Sequence, residues 1–237
     1  MSEAMPLVLM YHSVEPYETD PYQVTVSPRR FAAQLRWLRR AGLRGVSMGE
    51  LLQARREGRD AGLIGLTFDD GYADFMSNAL PALREHDFGA TVFVLPGVFG
   101  ADNAWDTPGP RKALMTADDV RTAAAAGMEI ASHGMTHKRL PDCDDKVLHE
   151  EVHTSRELLG DVLGQDVTGF CYPWGFYGPR EMEAVRAAGY EYACSVYPST
   201  LDGRFALPRQ FVGDRDGLLR LGAKWARFNV RQRRAAS

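Results

Sequence analysis

Short apolar, β-branched runs alternate along the chain with longer stretches in which apolar residues recur every three or four positions. The runs are Leu7–Tyr11, Leu63–Phe68, Ala90–Leu95, Met128–Ser132, Val167–Tyr172 and Tyr190–Ser195, with weaker ones at Gly45–Ser47 and Ala206–Phe211. Runs this short predict buried strands rather than helices. Between them lie helical signals. Ser27 can cap a helix that has Pro28 in its first turn, Phe31, Leu35 and Leu38 on one face, and Gly42 past its end. Thr116 and Asp119 form a capping-box pair, with Gly127 closing that helix. Asp144 to Leu159 carries the stripe Leu148, Val152, Ser155, Leu159, and Arg180 to Ala188 ends at Gly189.

Strand then helix, repeated about seven times, predicts an α/β fold with a parallel sheet. At 237 residues a closed or nearly closed (β/α) barrel leads. An open doubly wound sheet ranks second, because no Gly-rich phosphate loop follows the first strand. No repeat, linker or shift of composition divides the chain, so one domain is expected over 1–237, its last stretch, 214–237, being a helix with a basic tail.

Composition narrows the function. Lys+Arg 28 against Asp+Glu 31 gives a net charge of −3, which offers no polyanionic partner such as nucleic acid a footing. The tail Arg231-Gln232-Arg233-Arg234 reads as a solvated, frayed end. Cys143, Cys171 and Cys194 are odd in number and far apart, which makes neither a disulfide framework nor a CxxC metal site and suits a reducing compartment. Met1 to Met5 lacks a basic n-region, and Leu7–Met10 is too short for a signal sequence or a transmembrane segment. The expectation is a cytoplasmic protein.

Chemistry sits immediately after the strands. Leu7–Tyr11 leads to His12, Leu63–Phe68 to Asp69-Asp70-Gly71, Met128–Ser132 to His133 and His137, and Val167–Tyr172 to Pro173-Trp174-Gly175. In a parallel barrel all carboxyl ends of strands share one rim, where active sites are built. Two imidazoles and a carboxylate make a cation site that leaves positions open for water and substrate. Zn²⁺ is the default for such a set, with Co²⁺, Ni²⁺ or Fe²⁺ also suited. Adjacent aspartates after a strand must diverge, so one can bind the cation while the other takes a proton from the attacking water. An acidic surface turn and two ordinary histidines are the bland alternative.

Thr67-Phe68-Asp69-Asp70-Gly71-Tyr72, Ser132-His133-Gly134-Met135-Thr136-His137 and Phe170-Cys171-Tyr172-Pro173-Trp174-Gly175 resemble, in order and spacing, three motifs of the polysaccharide deacetylase (NodB-homology) family, carbohydrate esterase family 4. The resemblance runs from about Leu7 to Phe211. It implies a distorted barrel of seven strands and hydrolysis of an N-acyl amide, above all an acetamide, on an amino sugar or related small molecule. Carried over by position, Asp69 is the general base, Asp70, His133 and His137 hold one divalent cation, and the backbone N–H of Trp174 stabilises the oxyanion. Two departures stand out. Family members often have Arg where this chain has Cys171, and many carry a late histidine as general acid, whereas no histidine follows His153 here. The opening Leu9-Met10-Tyr11-His12-Ser13-Val14 resembles the branch that includes poly-N-acetylglucosamine deacetylases, which makes His12 the candidate acid. Arg209, ending the last predicted strand, is a candidate replacement partner for Asp69; a plain surface arginine is its alternative.

Two other functions compete. His149-Glu150-Glu151-Val152-His153 matches the H-E-x-x-H signature of zinc proteases, but it borders a helix stripe and has no later histidine as third ligand. A non-catalytic sugar-binding barrel is the other, and the presence of Asp69 beside the ligand set argues against it. Among the aromatic residues near the rim, Tyr11, Tyr72, Trp105, Tyr172 and Trp174 are candidates for stacking on sugar faces, Trp105 foremost because it lies in a Gly/Asp/Asn-rich loop. Without an export signal, a soluble or lipid-linked acetamido sugar is expected over an extracellular polymer, the oligomeric state being open.

Overall fold

The computed structural model describes residues 6–196 and 203–235. The chain begins with β1 (Val8–Tyr11), a side ribbon of β2 (Ser13–Val14) and β3 (Thr25–Val26), α1 (Pro28–Arg40), β4 (Arg44–Val46) and α2 (Met48–Arg56). It continues through β5 (Leu63–Phe68), α3 (Leu80–Glu85), β6 (Thr91–Val94), α4 (Ala117–Ala125) and β7 (Glu129–Ser132). Then come α5 (Asp145–His149), α6 (Ser155–Leu163), β8 (Gly169–Cys171), α7 (Pro179–Ala187), β9 (Tyr192–Ser195), β10 (Leu207–Pro208), β11 (Gln210–Phe211) and α8 (Leu218–Ala235).

The large sheet runs β10-β9-β8-β7-β6-β5-β1-β11, with β4 added beside β5, and its pairings are parallel. Its two ends are halves of one stretch. The weak run expected at Ala206–Phe211 breaks at Arg209, directly after Pro208, which has no N–H to give a ladder. Leu207 and Pro208 pair with Cys194 and Ser195 of β9, while Gln210 and Phe211 pair with Leu9 and Met10 of β1. Arg209 therefore sits in the seam that nearly closes the sheet, and the fold is a distorted (β/α) barrel.

Side-chain parity explains what faces inward. Val8, Val46, Phe93, Ala131, Cys171, Cys194 and Leu207 pack together inside the barrel. Leu9, Tyr11, Ile64, Leu66, Phe68, Val92, Ile130, Phe170 and Tyr172 pack outward, against the helices. With a period of two, the residues that continue the inward row past the strand ends are His12, Asp69 and His133. Three strands thus deliver three polar side chains to one rim.

The helices hold this sheet by their apolar faces. α1 buries Phe31, Leu35 and Leu38 as the spacing requires, each contributing about 1.5–3 kcal/mol by burial. Its expected cap differs: Ser27 stands at the N-cap, but its hydroxyl donates to Asp214 Oδ1 at 2.7 Å instead of capping the helix. Thr116 and Asp119 do form the reciprocal capping box of α4. The helix expected over Asp144 to Leu159 buries its predicted stripe, yet it is not one regular helix: a π-helical turn over Glu150–Thr154 separates α5 from α6. The basic tail, expected to be frayed, continues α8 to Ala235. No helix is long and apolar enough to cross a membrane.

Candidate active site

Asp69 extends the β5 ladder by one residue, its N–H donating to the Tyr11 carbonyl at 3.0 Å. The backbone then turns sharply, with Asp70 at φ 72° and Gly71 at φ 65°. Aspartate tolerates the left-handed region better than most residues, though at a cost of about 1–2 kcal/mol. A Cβ on Gly71 would also lie 3.0 Å from a Val94 methyl. This turn sends the two carboxylates in different directions. His133 enters on the inward row after β7, its N–H held by the Val94 carbonyl at 2.8 Å. His137 returns to the same point through another left-handed residue, its own φ being 65°.

Nε2 of His133 and Nε2 of His137 each lie 3.3 Å from Asp70 Oδ1. All three residues are buried, and Asp70 Oδ1 has no hydrogen-bond partner among the described residues. The Nδ1 of His133 lies 2.8 Å from the Cys171 carbonyl. A carbonyl can only accept, so Nδ1 carries a proton and Nε2 is the ring atom left to face Asp70. A buried carboxylate oxygen and two imidazole nitrogens converging on one point fit a divalent cation. Asp69, His133 and Cys171 also cluster. Burial pushes the Cys171 thiol up, against the opposing Arg209 charge, so it stays protonated and is a poor ligand.

Arg209 reaches Asp69 from the seam. Its Nη1 donates to Asp69 Oδ1 at 2.6 Å and its Nη2 to Oδ2 at 2.7 Å, a bidentate pair with both side chains buried. Further bonds to Thr67 Oγ1 at 3.0 Å and the Ser195 carbonyl at 3.2 Å fix the guanidinium. Burial pushes the Asp69 carboxyl up, but the charge and hydrogen bonds of Arg209 outweigh it and hold it below the usual carboxylate range. Position 171 touches the same pair, its Sγ lying 3.0 Å from Arg209 Nη2 and 3.7 Å from Asp69 Oδ2. On the solvent side, His12 Nε2 stands 4.0 Å from Asp69 Oδ2, with the imidazole only partly buried.

His12, Asp69, Asp70, His133 and His137 line one cleft of about 240 Å³, together with Trp105, Asp106, Trp174 and Phe211. Trp105 stacks on the His137 ring at 4.4 Å, and Trp174 donates its indole N–H to the His137 carbonyl at 3.1 Å. Trp174 itself is left-handed, at φ 61°, and partly exposed.

The stacking expected of Tyr11, Tyr72 and Tyr172 does not fit their placement. Tyr11 lies between Phe31 and Phe68, fully buried on the outward row. Tyr172, also outward, stacks on Tyr177 and donates to the Phe205 carbonyl at 3.0 Å. Tyr72 is buried with its hydroxyl on Asp106 Oδ2 at 3.1 Å. All three are buried; of them only Tyr172 borders the cleft, whose other aromatic walls are Tyr22, Trp105, Trp174 and Phe211.

Asp106 had no place in the sequence reading. Its Oδ2 takes both Tyr72 and Asn103, and burial, then the charge of Asp70, pushes its carboxyl up. Its one sequence signal was adjacency to Trp105. The protease-like pair lies elsewhere: His149 and His153 stack on each other at 4.6 Å, and neither joins a group of metal-binding residues among the described residues.

A family model described as polysaccharide deacetylase matches residues 56–193. YxkH of Bacillus subtilis, whose name places it among the polysaccharide deacetylases, is 27% identical over 209 residues, covering 85% of this chain and 69% of that protein. The poly-β-1,6-N-acetyl-D-glucosamine N-deacetylase of Staphylococcus aureus is 21% identical over 220 residues, 86% of this chain and 73% of that one. The solved structure of the Streptococcus pyogenes deacetylase PplD with acetate superposes with a TM-score of 0.79 at 22% identity, covering 94% of this chain and 98% of its own.

Proposed function

Since the chain belongs to the polysaccharide deacetylase family, a family of hydrolases, we propose that it cleaves an N-acyl amide, above all an acetamide, on an amino sugar or a related small molecule. The observation that carries this reading is Asp69, a buried carboxylate locked in its ionised form by Arg209 beside three converging cation-ligand residues. The Staphylococcus aureus relative, named for N-acetylglucosamine units, supports a hexosamine as the acylated partner.

Asp70, His133 and His137 would hold one divalent cation, Zn²⁺ by the donor set. When bound, it supplies Lewis acidity that polarises the acyl carbonyl and lowers the pKa of a water. Asp69 accepts the proton of the attacking water, and Arg209 keeps its two oxygens oriented and charged. The backbone N–H of Trp174 is assigned to the oxygen on which negative charge develops. His12, partly buried beside Asp69 and lining the cleft, donates the proton without which an amine cannot leave. Trp105 offers a flat apolar wall to the sugar.

The test is release of free amine from a panel of N-acetylglucosamine, its oligomers and a lipid-linked analogue. Chelated protein should be inert and Zn²⁺ should restore it. His133→Ala and His137→Ala should each lose the bound metal. Full activity in either variant with stoichiometric metal would sink the site assignment.

A further inference from the structure

Glu151 is 2% exposed, yet no ion pair partners it among the described residues. Its carboxylate is instead satisfied by one loop. Oε2 accepts the N–H of Met135 at 2.9 Å and the N–H of Thr136 at 3.0 Å, while Oε1 accepts the Thr136 hydroxyl. That loop runs from His133 to His137, so a buried anion on a distant helix spans the link between two cation ligands. The fit is tight. Gly134 has φ 86°, and a Cβ there would stand 2.9 Å from Glu151 Oε2.

The helix is built for this contact. Position 151 lies three residues after Leu148 and four before Ser155, so it stands on the same face as the stripe Leu148, Val152, Ser155 and Leu159. Within the π-helical turn over Glu150–Thr154, Glu151 and Val152 both face inward. The turn overlaps the segment His149 to His153 that mimics a protease signature. Its buried function is neither histidine but the glutamate between them.

We propose that Glu151 is a positioning residue for the cation site. By clamping the Met135 and Thr136 amides it holds His137 in its left-handed conformation, aimed at Asp70. The proposal rests on the cation-site reading given above. His137 has its backbone carbonyl held by Trp174 and its ring stacked on Trp105. Glu151 supplies the restraint on the chain entering it.

The experiment measures the Zn²⁺ dissociation constant of the apo-protein by chelator competition, together with urea unfolding of the same samples. Glu151→Ala should weaken Zn²⁺ binding by about 10–100-fold, the range for groups that orient metal ligands. Glu151→Gln keeps an oxygen for both amides and an NH₂ that the Thr136 hydroxyl can accept, so it should recover most of the affinity. Thr136→Val, which loses only the hydroxyl, should cost a smaller factor and serves if Glu151→Ala does not fold. At saturating Zn²⁺, Glu151→Ala should regain turnover with KM unchanged. Leu159→Ala, buried on the same rod, should lower stability while leaving Zn²⁺ affinity intact. Wild-type affinity in both Glu151→Ala and Thr136→Val overturns the proposal, as does an equal loss in Leu159→Ala, which would make the role merely structural. If the wild-type protein binds no Zn²⁺, the cation-site reading fails instead.

Discussion

Arg209→Met removes the guanidinium from Asp69 while keeping a side chain of similar reach in the seam. The pair has bonds of 2.6 and 2.7 Å, with both side chains buried. Hydrogen bonds to a charged group are each worth about 1.5–3 kcal/mol, and breaking one side of a buried pair costs about 3–5 kcal/mol. We take roughly 4 kcal/mol, a large part of the ~5–15 kcal/mol that stabilises a typical domain. In the wild type, Arg209 depresses the Asp69 pKa. That contribution is fully present above the unfolded value, about 3.9, and is lost as pH falls through the lower folded value. In the variant burial acts unopposed by the arginine and the folded pKa rises. The penalty is then largest above that raised value and shrinks as pH falls toward the unfolded one. Urea unfolding at pH 7 and pH 4.5 should show the variant's deficit shrinking at the lower pH. The acid limb of kcat/KM should move upward with the Asp69 carboxyl. A deficit below about 1 kcal/mol at both pH values, with an unmoved acid limb, would refute the claim that Arg209 sets the charge of Asp69.

Asp69→Asn should keep Zn²⁺ yet lose about 10²–10⁴-fold in turnover, because an amide cannot take the water's proton; turnover within threefold of wild type would remove it from that role. His149→Ala and His153→Ala should keep both metal and activity, since their rings stack on each other away from the cleft; loss of metal in either would revive the protease-like reading. His12→Ala should bind metal normally and slow amide cleavage strongly while sparing an activated ester, whose leaving group needs no proton. Equal losses on the two substrates would mark His12 as a binding or structural residue.

Most of the barrel was legible because strand runs and helix stripes are local patterns. The rim chemistry was legible for the same reason: His12, Asp69-Asp70 and His133 each follow a strand directly. Parity shows what was misread. Tyr11 and Tyr172 stand one position out of step with inward His12 and Cys171, so nearness to the rim did not bring their rings into the cleft. The Arg209 pairing depends on closure, a contact between the first and last strands that no local window contains, and on the break in the final run at Arg209 itself. Glu151 was hidden differently. A 3.6-residue period places it beside the apolar stripe, but its partners, the amides of Met135 and Thr136, lie in no local window.

The seam also explains how the arginine expected at position 171 can be absent without the base losing its partner. Position 171 ends β8 on the inward row, and its sulfur lies 3.7 Å from Asp69 Oδ2. Arg209 comes from the opposite side of β9, by way of the β10–β11 break, and places Nη2 3.0 Å from that sulfur. Two different strands therefore address one carboxylate, and a small residue at 171 leaves the room that Arg209 occupies. A double-mutant cycle tests this directly. Cys171→Arg alone would bury a second guanidinium against a single carboxylate and should destabilise by about 3 kcal/mol or more. Arg209→Met alone loses the pair, as argued above. Combined, they restore one cation for one anion and free the volume that the new arginine needs. The double variant should then be more stable than the sum of the singles by about 2–3 kcal/mol, the upper part of the range for residues in direct contact. Its acid limb should return toward the wild-type position, because a guanidinium again faces Asp69. Additive losses, with the acid limb still displaced, would mean that position 171 cannot reach the base and that the two sites are not interchangeable.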